Sequence, residues 1–348
     1  MKTIILLITY PLLLIPILCR AQDIHFSQFY MAPLFQNPAL AGATHNMQAI
    51  MNYKNQWQSV GIPFKTYAFS YDMRLGNSSA KKGFWAAGVT LFSDKAGDAQ
   101  LATTEGGLTV AYHIVINKYS MLGAGFQGCF AQRTLSYSSL LWGSQDDGTE
   151  LNPALPSGES LVPHSISYPD LGAGVNWVYD NTAGAANVAG NHDLKADAGF
   201  AIFHVNQPKY SFYGDNERLH VKYVLHGTGL VCLPNSNIGF QPGFLYYGQG
   251  SANELCIGSL VRYKLRQNSK SAGFYKSAAL SIGAYYRTRD AAIAALLLEY
   301  SHYALGISYD INTSPLTQAS HGRGGVEISI RYVAPNPFGT SRKEQTFL

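Results

Sequence analysis

The chain has 348 residues, of which 25 are Lys or Arg and 21 are Asp or Glu, so only 13% are charged. This share is about half of what a soluble globular domain carries, and it is too small to build a soluble surface. A mean hydropathy of -0.04 also excludes a helical membrane protein, which needs several runs of about 20 apolar residues. The 34 Gly, 23 Tyr and 17 Phe favour strands with one apolar and one small or polar face, as in an outer-membrane β-barrel.

Residues 1–21 have the pattern of a secretory signal peptide. Lys2 gives the charged start, residues 4–18 are apolar, and a small-x-small cleavage site ends at Ala21. Two prolines interrupt the apolar stretch, which is too short for a transmembrane anchor. Lipoprotein processing at Cys19 is the alternative, although the small residue that usually precedes a lipidated cysteine is absent. The sequence therefore predicts export.

Charge and cysteine content argue against several kinds of ligand. Removal of Lys2 and Arg20 with the signal lowers the formal net charge from +4 to +2, which gives no basis for nucleic-acid binding. The remaining Cys129, Cys232 and Cys256 are far apart in strand-like stretches, without the spacing of a metal site. We expect no nucleic acid, no metal, no cofactor and no small-molecule substrate.

Residues 22–48 form an aromatic, proline-bearing segment before the first predicted strand. An exposed tail of this composition would promote aggregation. We expect this segment either to plug the mouth of a barrel or to be covered by a periplasmic partner.

Alternation with a period of two dominates the rest of the chain. In residues 66–74, for example, Tyr67, Phe69 and Tyr71 alternate with small or polar residues, and residues 303–310 and 326–332 repeat the pattern. The predicted strands, of which 236–247 is weakened by an internal proline, are 49–54, 65–74, 84–92, 106–116, 119–133, 170–179, 195–205, 219–232, 236–247, 254–265, 276–287, 291–300, 302–310 and 325–333. Most have the length that a tilted strand needs to cross a bilayer. The sequence predicts an all-β, single-domain transmembrane barrel of about fourteen antiparallel strands over residues 49–333, with a tail at 334–348.

Connection lengths support this topology, because outer-membrane barrels alternate short periplasmic turns with longer outer loops. With the N-terminus in the periplasm, every second connection between strands, counted along the chain, should be a periplasmic turn. These even-numbered connections include tight turns at 117–118, 233–235 and 301, whereas the longest connection, 134–169, is odd-numbered. The pattern is imperfect, since 180–194 is a long connection on the predicted periplasmic side. We expect the long loops to face outward.

Other motifs are better explained by a barrel than by chemistry. Residues 123–128 match the spacing of a dinucleotide-binding loop, but the period-two pattern continues through them where that loop would open a helix. His113, His204 and His226 lie in predicted strands and are interpreted as lumen or interface residues, not as catalytic bases. The four tryptophans are expected in interfacial aromatic belts. They are Trp57, Trp85, Trp142 and Trp177.

The segments HFSQFY…NPALAG (25–42), NYKNQW (52–57), YALGISYDINTSPL (303–316) and GGVEISIRY (324–332) resemble the PorP/SprF family of Bacteroidetes. The resemblance extends over the mature chain, although the long 134–169 connection matches no family pattern. It implies an integral outer-membrane component of the type IX secretion system, which exports proteins to the cell surface and supports gliding motility in some species. It also implies a non-enzymatic barrel.

Two kinds of protein partner follow from the resemblance, besides the lipid of the outer membrane. One is a secreted surface protein or adhesin, held through its C-terminal domain, and the other is the periplasmic secretion or gliding machinery. The residues expected to form a plug or to contact a partner are His25, Phe26, Ser27, Gln28, Phe29, Tyr30, Asn37, Pro38, Asn55, Gln56, Trp57, Tyr309 and Asp310. A passive porin is the alternative function, although few predicted strands carry the charge rows of an open pore.

Overall fold

The computed structural model describes residues 23–59, 61–76, 82–97, 99–136, 140, 142–146, 148, 150, 152, 154–158, 165–181, 194–266, 278–315 and 317–334. The predicted signal peptide, and the predicted tail beyond residue 334, lie outside these residues. None of the helices in the described part of the chain is long and apolar enough to cross a membrane.

Fourteen antiparallel strands close into one barrel, in which each strand pairs with its neighbours in sequence and β1 pairs with β14. The predicted fold class is confirmed. The strands are β1 Met47–Gln56, β2 Phe64–Leu75, β3 Gly83–Ala96, β4 Leu101–Val115, β5 Ser120–Thr134, β6 Ser165–Asp180, β7 Leu194–Phe203, β8 Lys222–Cys232, β9 Ile238–Gln249, β10 Ala252–Arg266, β11 Ala278–Arg287, β12 Ala291–Tyr300, β13 Tyr303–Asn312 and β14 Arg323–Ala334.

Some strands are longer than their sequence pattern indicates. β4 begins at Leu101 instead of 106, and β6 begins at Ser165 instead of 170. Residues 102–105 are small or polar on both faces and so show no apolar alternation, whereas residues 165–168 alternate Ser with Ile and Tyr over too short a run before Pro169 to be included. Both stretches pair with β5, where Ala102 and Ser165 lie on either side of Thr134.

The weakest predicted strand is formed despite its proline. Pro242 lies opposite Ser259 of β10. On its other side the pairing of β9 with β8 is interrupted between Thr228–Gly243 and Val231–Phe240, with no change of register, and Gly229 and Leu230 are left unpaired. The barrel accommodates the missing N–H by a local interruption of one ladder.

The two faces of the wall differ as the alternation predicts. In β2, Thr66, Ser70 and Asp72 are buried inside the barrel, whereas Tyr67 is 57% exposed on its outer surface. The outer surface carries an aliphatic band between two aromatic belts, which is the pattern of a membrane-spanning barrel. One belt includes Trp85, Tyr119, Trp177, Tyr300, Tyr303 and Tyr332, and the other includes Tyr67, Tyr223, Tyr246, Tyr286 and Tyr309.

We name the two ends of the barrel by their connections. The loop end carries connections 135–164 and 204–221, and the turn end carries 116–119 and 301–302. The turn end is also where β1 begins and β14 ends. Trp142 lies in the 135–164 connection and so outside both aromatic belts.

Residues 23–46, which we call the lumen segment, run through the inside of the barrel from the loop end to the turn end. The segment contains three 3-10 turns, at Phe29–Met31, Pro33–Phe35 and Pro38–Leu40. Prolines occupy the first position of two of these turns, where their fixed φ favours a turn and their missing N–H is not needed. Most side chains of the segment are buried against the wall.

Candidate functional site

The lumen segment and the barrel residues that hold it form the candidate site. Its first contact is at the loop end, where the Asp23 carboxylate lies 2.6 Å from Nε2 of His204 and 3.3 Å from Nζ of Lys222. The other ring nitrogen of His204, Nδ1, lies 2.9 Å from the Asp170 carboxylate. Gln249 Nε2 donates to Asp23 at 3.2 Å. Two carboxylates and two bases thus fix the start of the segment.

Electrostatics in this cluster favour the charged forms. Burial alone would lower the pKa of His204, but the hydrogen bonds to Asp170 and Asp23 raise it to about 9. Burial alone would raise the pKa of Asp23, but Lys222 and His204 lower it below its ordinary value. Because both nitrogens of His204 face carboxylate oxygens, the ring donates at both and is a cation.

We expect the attachment of Asp23 to weaken in alkaline solution. The folded pKa of His204, about 9, lies above its ordinary 6.5. Its stabilising contribution is therefore complete below about pH 6.5 and is lost as the pH rises through about 9. Hydrogen–deuterium exchange at residues 23–27, corrected for intrinsic rates, should increase between pH 7.5 and pH 10.

His204→Asn should show the faster exchange already at pH 7.5 and should remove the pH dependence. His321→Asn is the matched control, because His321 is exposed at the loop end with φ of 52°, a conformation that Asn tolerates. Equal pH dependence in the wild type and in His204→Asn would contradict this role of His204.

The next contact uses backbone groups of the segment. The backbone N–H groups of Ser27 and Gln28 donate to the two carboxylate oxygens of Glu327 at 2.8 and 3.0 Å. The Ser27 hydroxyl donates to Asp310 at 2.8 Å, and Arg287 pairs with the same carboxylate. A carboxylate that accepts two backbone N–H bonds inside the barrel fixes the path of the segment at this point.

Aromatic side chains fill the middle of the lumen. The ring of Phe29 meets that of Tyr285 edge to face at 5.3 Å, and Tyr30 stacks on Tyr285 at 5.8 Å. Phe29 is also in van der Waals contact range of Gly243, where a Cβ atom would lie 3.0 Å from its ring. Phe26 packs separately with Phe35 at 5.9 Å. The rings of Phe29, Tyr30 and Tyr285 therefore pack together inside the barrel.

Asn37 is the central polar contact of the segment. Its Oδ1 accepts the N–H of Ala39 at 2.8 Å and so caps the turn Pro38–Leu40. Its Nδ2 donates to the Val175 carbonyl at 2.9 Å and lies 3.0 Å from Nε2 of His226. One side chain therefore stabilises the turn and attaches it to β6 and β8.

The wall has glycines where this turn approaches it. A Cβ atom on Gly125 would lie 2.5 Å from the backbone of Pro38 and Ala39, and one on Gly174 would overlap the Asn37 side chain. Gly123 and Gly125 belong to the stretch that matches a dinucleotide-binding loop. Gly125 admits the backbone of the lumen segment, whereas Gly123 leaves room for the ring of His113, which would lie 2.6 Å from a Cβ atom there.

The segment leaves the lumen through a second polar cluster at the turn end. Asp72 accepts the N–H of Gly42 at 2.8 Å, and Arg74 donates to the carbonyls of Gly42 and Ala43 at 2.6 and 3.0 Å. His113 Nε2 donates to the Ala41 carbonyl at 2.7 Å. Both ends and the middle of the segment are therefore bonded to the wall.

The three histidines singled out in the sequence all contact the lumen segment. His204 bonds Asp23, His226 approaches Asn37, and His113 bonds the backbone at Ala41. None of these contacts is with a serine hydroxyl. The histidines thus serve as attachment points in the described lumen, in the way that their interpretation as lumen residues suggests.

The other motif residues are distributed unequally. His25, Phe26, Ser27, Gln28, Phe29, Tyr30, Asn37 and Pro38 lie in the lumen, and Asp310 bonds Ser27 there. Tyr309 is 40% exposed on the outer surface, in an aromatic belt. Trp57, at the loop end of β1, donates its backbone N–H to the Gly324 carbonyl at 2.8 Å, and its ring packs on Phe64. Asn55 and Gln56 precede it, half-buried at the end of β1.

Within the NYKNQW motif, different residues touch the segment. Asn52 Nδ2 donates to the Met31 carbonyl at 3.1 Å, and Lys54 Nζ donates to the His25 carbonyl at 2.9 Å. Sequence reasoning missed both, together with Glu327 and Arg287. The available signal was a charged or amide residue on the small-residue face of a predicted strand. This face also carries Gln127, Arg262 and Glu299, so the signal does not by itself identify the residues that contact the segment.

Comparison with known proteins gives one family. The model of the type IX secretion system membrane protein PorP/SprF matches residues 18–332. No curated protein sequence matches the chain.

Solved structures with a similar barrel include a Pseudomonas aeruginosa FadL homologue, with 10% identity, a TM-score of 0.47 and coverage of 87% of this chain and 94% of that chain. They also include the translocator domain of the autotransporter NalP from Neisseria meningitidis, with 11% identity, a TM-score of 0.40 and coverage of 88% and 96%. A third is BamA from Haemophilus ducreyi lacking POTRA domains 1–3, with 8% identity, a TM-score of 0.41 and coverage of 83% and 70%.

Proposed function

Because the chain belongs to the PorP/SprF family of type IX secretion system membrane proteins, we propose that it is a closed, non-enzymatic outer-membrane barrel that attaches a secreted surface protein to the cell. The observation that carries this proposal is the lumen segment, which is bonded to the wall at both ends and in the middle. Because the segment occupies the lumen, we infer that the protein acts through the surfaces at the two ends of the barrel. Attachment of another protein is a function that such surfaces can perform.

The loop end is the better candidate for the attachment surface. Outer-membrane barrels have their longer loops on the cell exterior, and both the 135–164 and the 204–221 connections are at this end. The secreted partner, for which an adhesin C-terminal domain is the expected form, would meet this surface on the outside of the cell.

One part of the loop end has the features of a binding hot spot. Residues 209 and 218 form an isolated antiparallel bridge, and Arg133 at the end of β5 lies over the ring of Tyr210 at 4.9 Å. Tyr213, three residues after Tyr210 in the same connection, is 78% exposed. This is more than any other large apolar or aromatic residue in the described part of the chain. An exposed aromatic residue on a supported loop is typical of the residues that dominate protein interfaces.

A periplasmic role for the aromatic part of the segment is less well supported. Phe26 and Phe29 are buried in the lumen, so a periplasmic protein could reach them only if the segment left the barrel. Contact with the periplasmic machinery would have to use the turn end instead.

The test is a pair of variants at the loop end. Replacing residues 137–163 by a short Gly-Ser linker, or changing Tyr213→Ser, should move one or a few secreted proteins from the cell surface to the culture medium. We expect at least a tenfold change in the surface-to-medium ratio for the loop replacement and a smaller one for Tyr213→Ser, measured by quantitative mass spectrometry of both fractions.

The matched control replaces residues 268–276, between β10 and β11 at the turn end, with the same linker. Heat-modified electrophoretic mobility would establish that each variant is a folded barrel. If the surface-to-medium ratios of all secreted proteins are unchanged in the folded loop-end variants, the attachment surface is not at the loop end.

A further inference from the structure

Three side chains with metal-binding groups meet at the loop end of the lumen. They are His25 of the lumen segment, Glu254 near the start of β10, and Asp290 in the turn between β11 and β12. One possible ligand atom from each lies within 4.8 Å of the other two. The sequence predicts no metal site, because these residues are brought together only by closure of the barrel and by entry of the segment into it.

One ring nitrogen of His25 is held by a neighbour and, in the described part of the chain, the other is unpartnered. Its Nδ1 lies 2.9 Å from the hydroxyl of Tyr247, whose ring is 5.9 Å away. Its Nε2 is shielded from solvent and has no hydrogen-bond partner among the described residues. A buried polar atom without a partner costs about 1–3 kcal/mol. Fixing one ring nitrogen while the other stays available is the usual arrangement of a metal-binding histidine.

The charges around the site are unbalanced. Arg287 lies between three carboxylates, pairing with Asp310, with Asp290 at 3.0 Å and with Glu254 at 3.9 Å. The second base is Lys54, which lies directly opposite Glu327 in the register of β1 with β14 and donates to the His25 carbonyl. Four carboxylates against two bases leave a formal charge of -2. Uncompensated charge inside a protein is strongly destabilising.

The neighbouring cluster does not supply the missing charge. It contains two carboxylates, Asp23 and Asp170, and two bases, Lys222 and the His204 cation. That cluster is neutral by itself. With all four carboxylates ionised, a bound divalent cation would balance the remaining formal charge of -2 and could use the unpartnered nitrogen of His25 as a ligand.

We propose that His25, Glu254 and Asp290 bind one divalent transition-metal ion of the Zn²⁺ or Mn²⁺ type. One imidazole with two carboxylates suits these ions better than Ca²⁺ or Mg²⁺, which prefer oxygen ligands alone. Tetrahedral ligands at about 2.1 Å from the ion are about 3.4 Å apart, so small side-chain rotations would close the site. The ion would join the lumen segment to β10 and to the β11–β12 turn.

The test is a metal titration of the full-length protein purified in detergent and stripped with EDTA. Isothermal titration calorimetry with Zn²⁺ and with Mn²⁺ should give one site per chain for at least one of the two ions. Glu254→Gln and Asp290→Asn should each weaken binding at least tenfold, and His25→Asn should do the same. Hydrogen–deuterium exchange at residues 23–27 should be slower with the ion than after EDTA.

Matched controls are Glu217→Gln and His321→Asn, which change one exposed carboxylate and one exposed imidazole at the same end of the barrel and should bind the ion as the wild type does. Heat-modified mobility identifies folded variants, and Asp290→Asn, whose side chain is partly exposed, is the variant least expected to disturb folding. The proposal is overturned if the folded wild type binds neither ion stoichiometrically. It is also overturned if the three site variants bind like the controls, or if Ca²⁺ and Mg²⁺ bind equally well with no dependence on His25.

This site does not depend on the attachment function. The calorimetric result concerns the stripped protein alone, whereas the surface-to-medium ratio concerns cells with an altered loop end. Failure of either one leaves the other intact.

Discussion

Gly125→Val is expected to open the barrel. A Cβ atom at this position would lie 2.5 Å from the backbone nitrogen of Ala39 and from the carbonyl carbon of Pro38. That backbone belongs to a turn capped by Asn37, so it cannot move away without breaking the cap and the bond to Val175. Overpacking of this kind costs about 1–3 kcal/mol or more. The lumen segment should leave the wall, and the variant should conduct ions in planar bilayers, whereas we expect no conductance from the wild type.

Gly128→Ala is the matched control in the same strand. Gly128 is on the outer surface, and a new Cβ atom there would lie 3.9 Å from the end of the Leu171 side chain, an ordinary van der Waals distance. This variant should remain closed. A conducting wild type would contradict the closed-barrel proposal and favour the porin alternative, whereas a closed Gly125→Val would show that the turn can shift without opening the lumen.

The strands of the barrel wall could be predicted from the sequence because the pattern of each strand depends only on its own residues. A strand between lipid and lumen must alternate between apolar and small or polar residues, and this alternation can be read from one stretch at a time. Residues 291–300 are predicted as a strand with both bounds correct, because the short connections 288–290 and Ser301 enclose them. Where alternation fades, as at residues 101–105 of β4, the predicted bound is wrong by several residues.

The contents of the lumen could be predicted only as two alternatives. The aromatic composition of residues 22–48 indicates that the segment must be covered, but composition does not distinguish a barrel wall from a separate protein. The partners of the segment are single residues on different strands, such as Glu327 on β14 and His226 on β8. In the sequence of its own strand, each of these residues is only one polar residue on the inward face, and the strand does not indicate what that residue contacts.

Glycines illustrate the same limit. A glycine in a strand indicates a close approach by something, without identifying it. Gly125 could have faced a ligand or a second backbone, and only the path of the lumen segment identifies Pro38 and Ala39 as the neighbours. Such long-range contacts have no signal in the spacing of either segment alone.

Arg287→Gln is expected to be the most destabilising substitution of a single charge. The Arg287 side chain is 1% exposed and pairs with Asp310, Asp290 and Glu254. Its loss leaves three carboxylates around the start of the lumen segment without their shared cation. Removal of one partner from a buried ion pair typically costs about 3–5 kcal/mol. Guanidinium unfolding of the detergent-solubilised protein, followed by tryptophan fluorescence, measures this loss.

Arg289→Gln is the control with the same chemical change, because Arg289 is exposed in the adjacent turn. It should change the free energy of unfolding by less than about 0.5 kcal/mol, and equal losses in the two variants would contradict the role of Arg287.

A double variant separates the effect of charge on stability from the effect of packing. If uncompensated charge causes the loss, then Asp310→Asn, which removes one of the three carboxylates, should restore part of the stability of Arg287→Gln although it is destabilising alone. Coupling between contacting residues is typically about 0.5–3 kcal/mol. Additive losses would mean that Arg287 stabilises the barrel by packing alone, and the charge imbalance that favours a cation at His25 would lose its support.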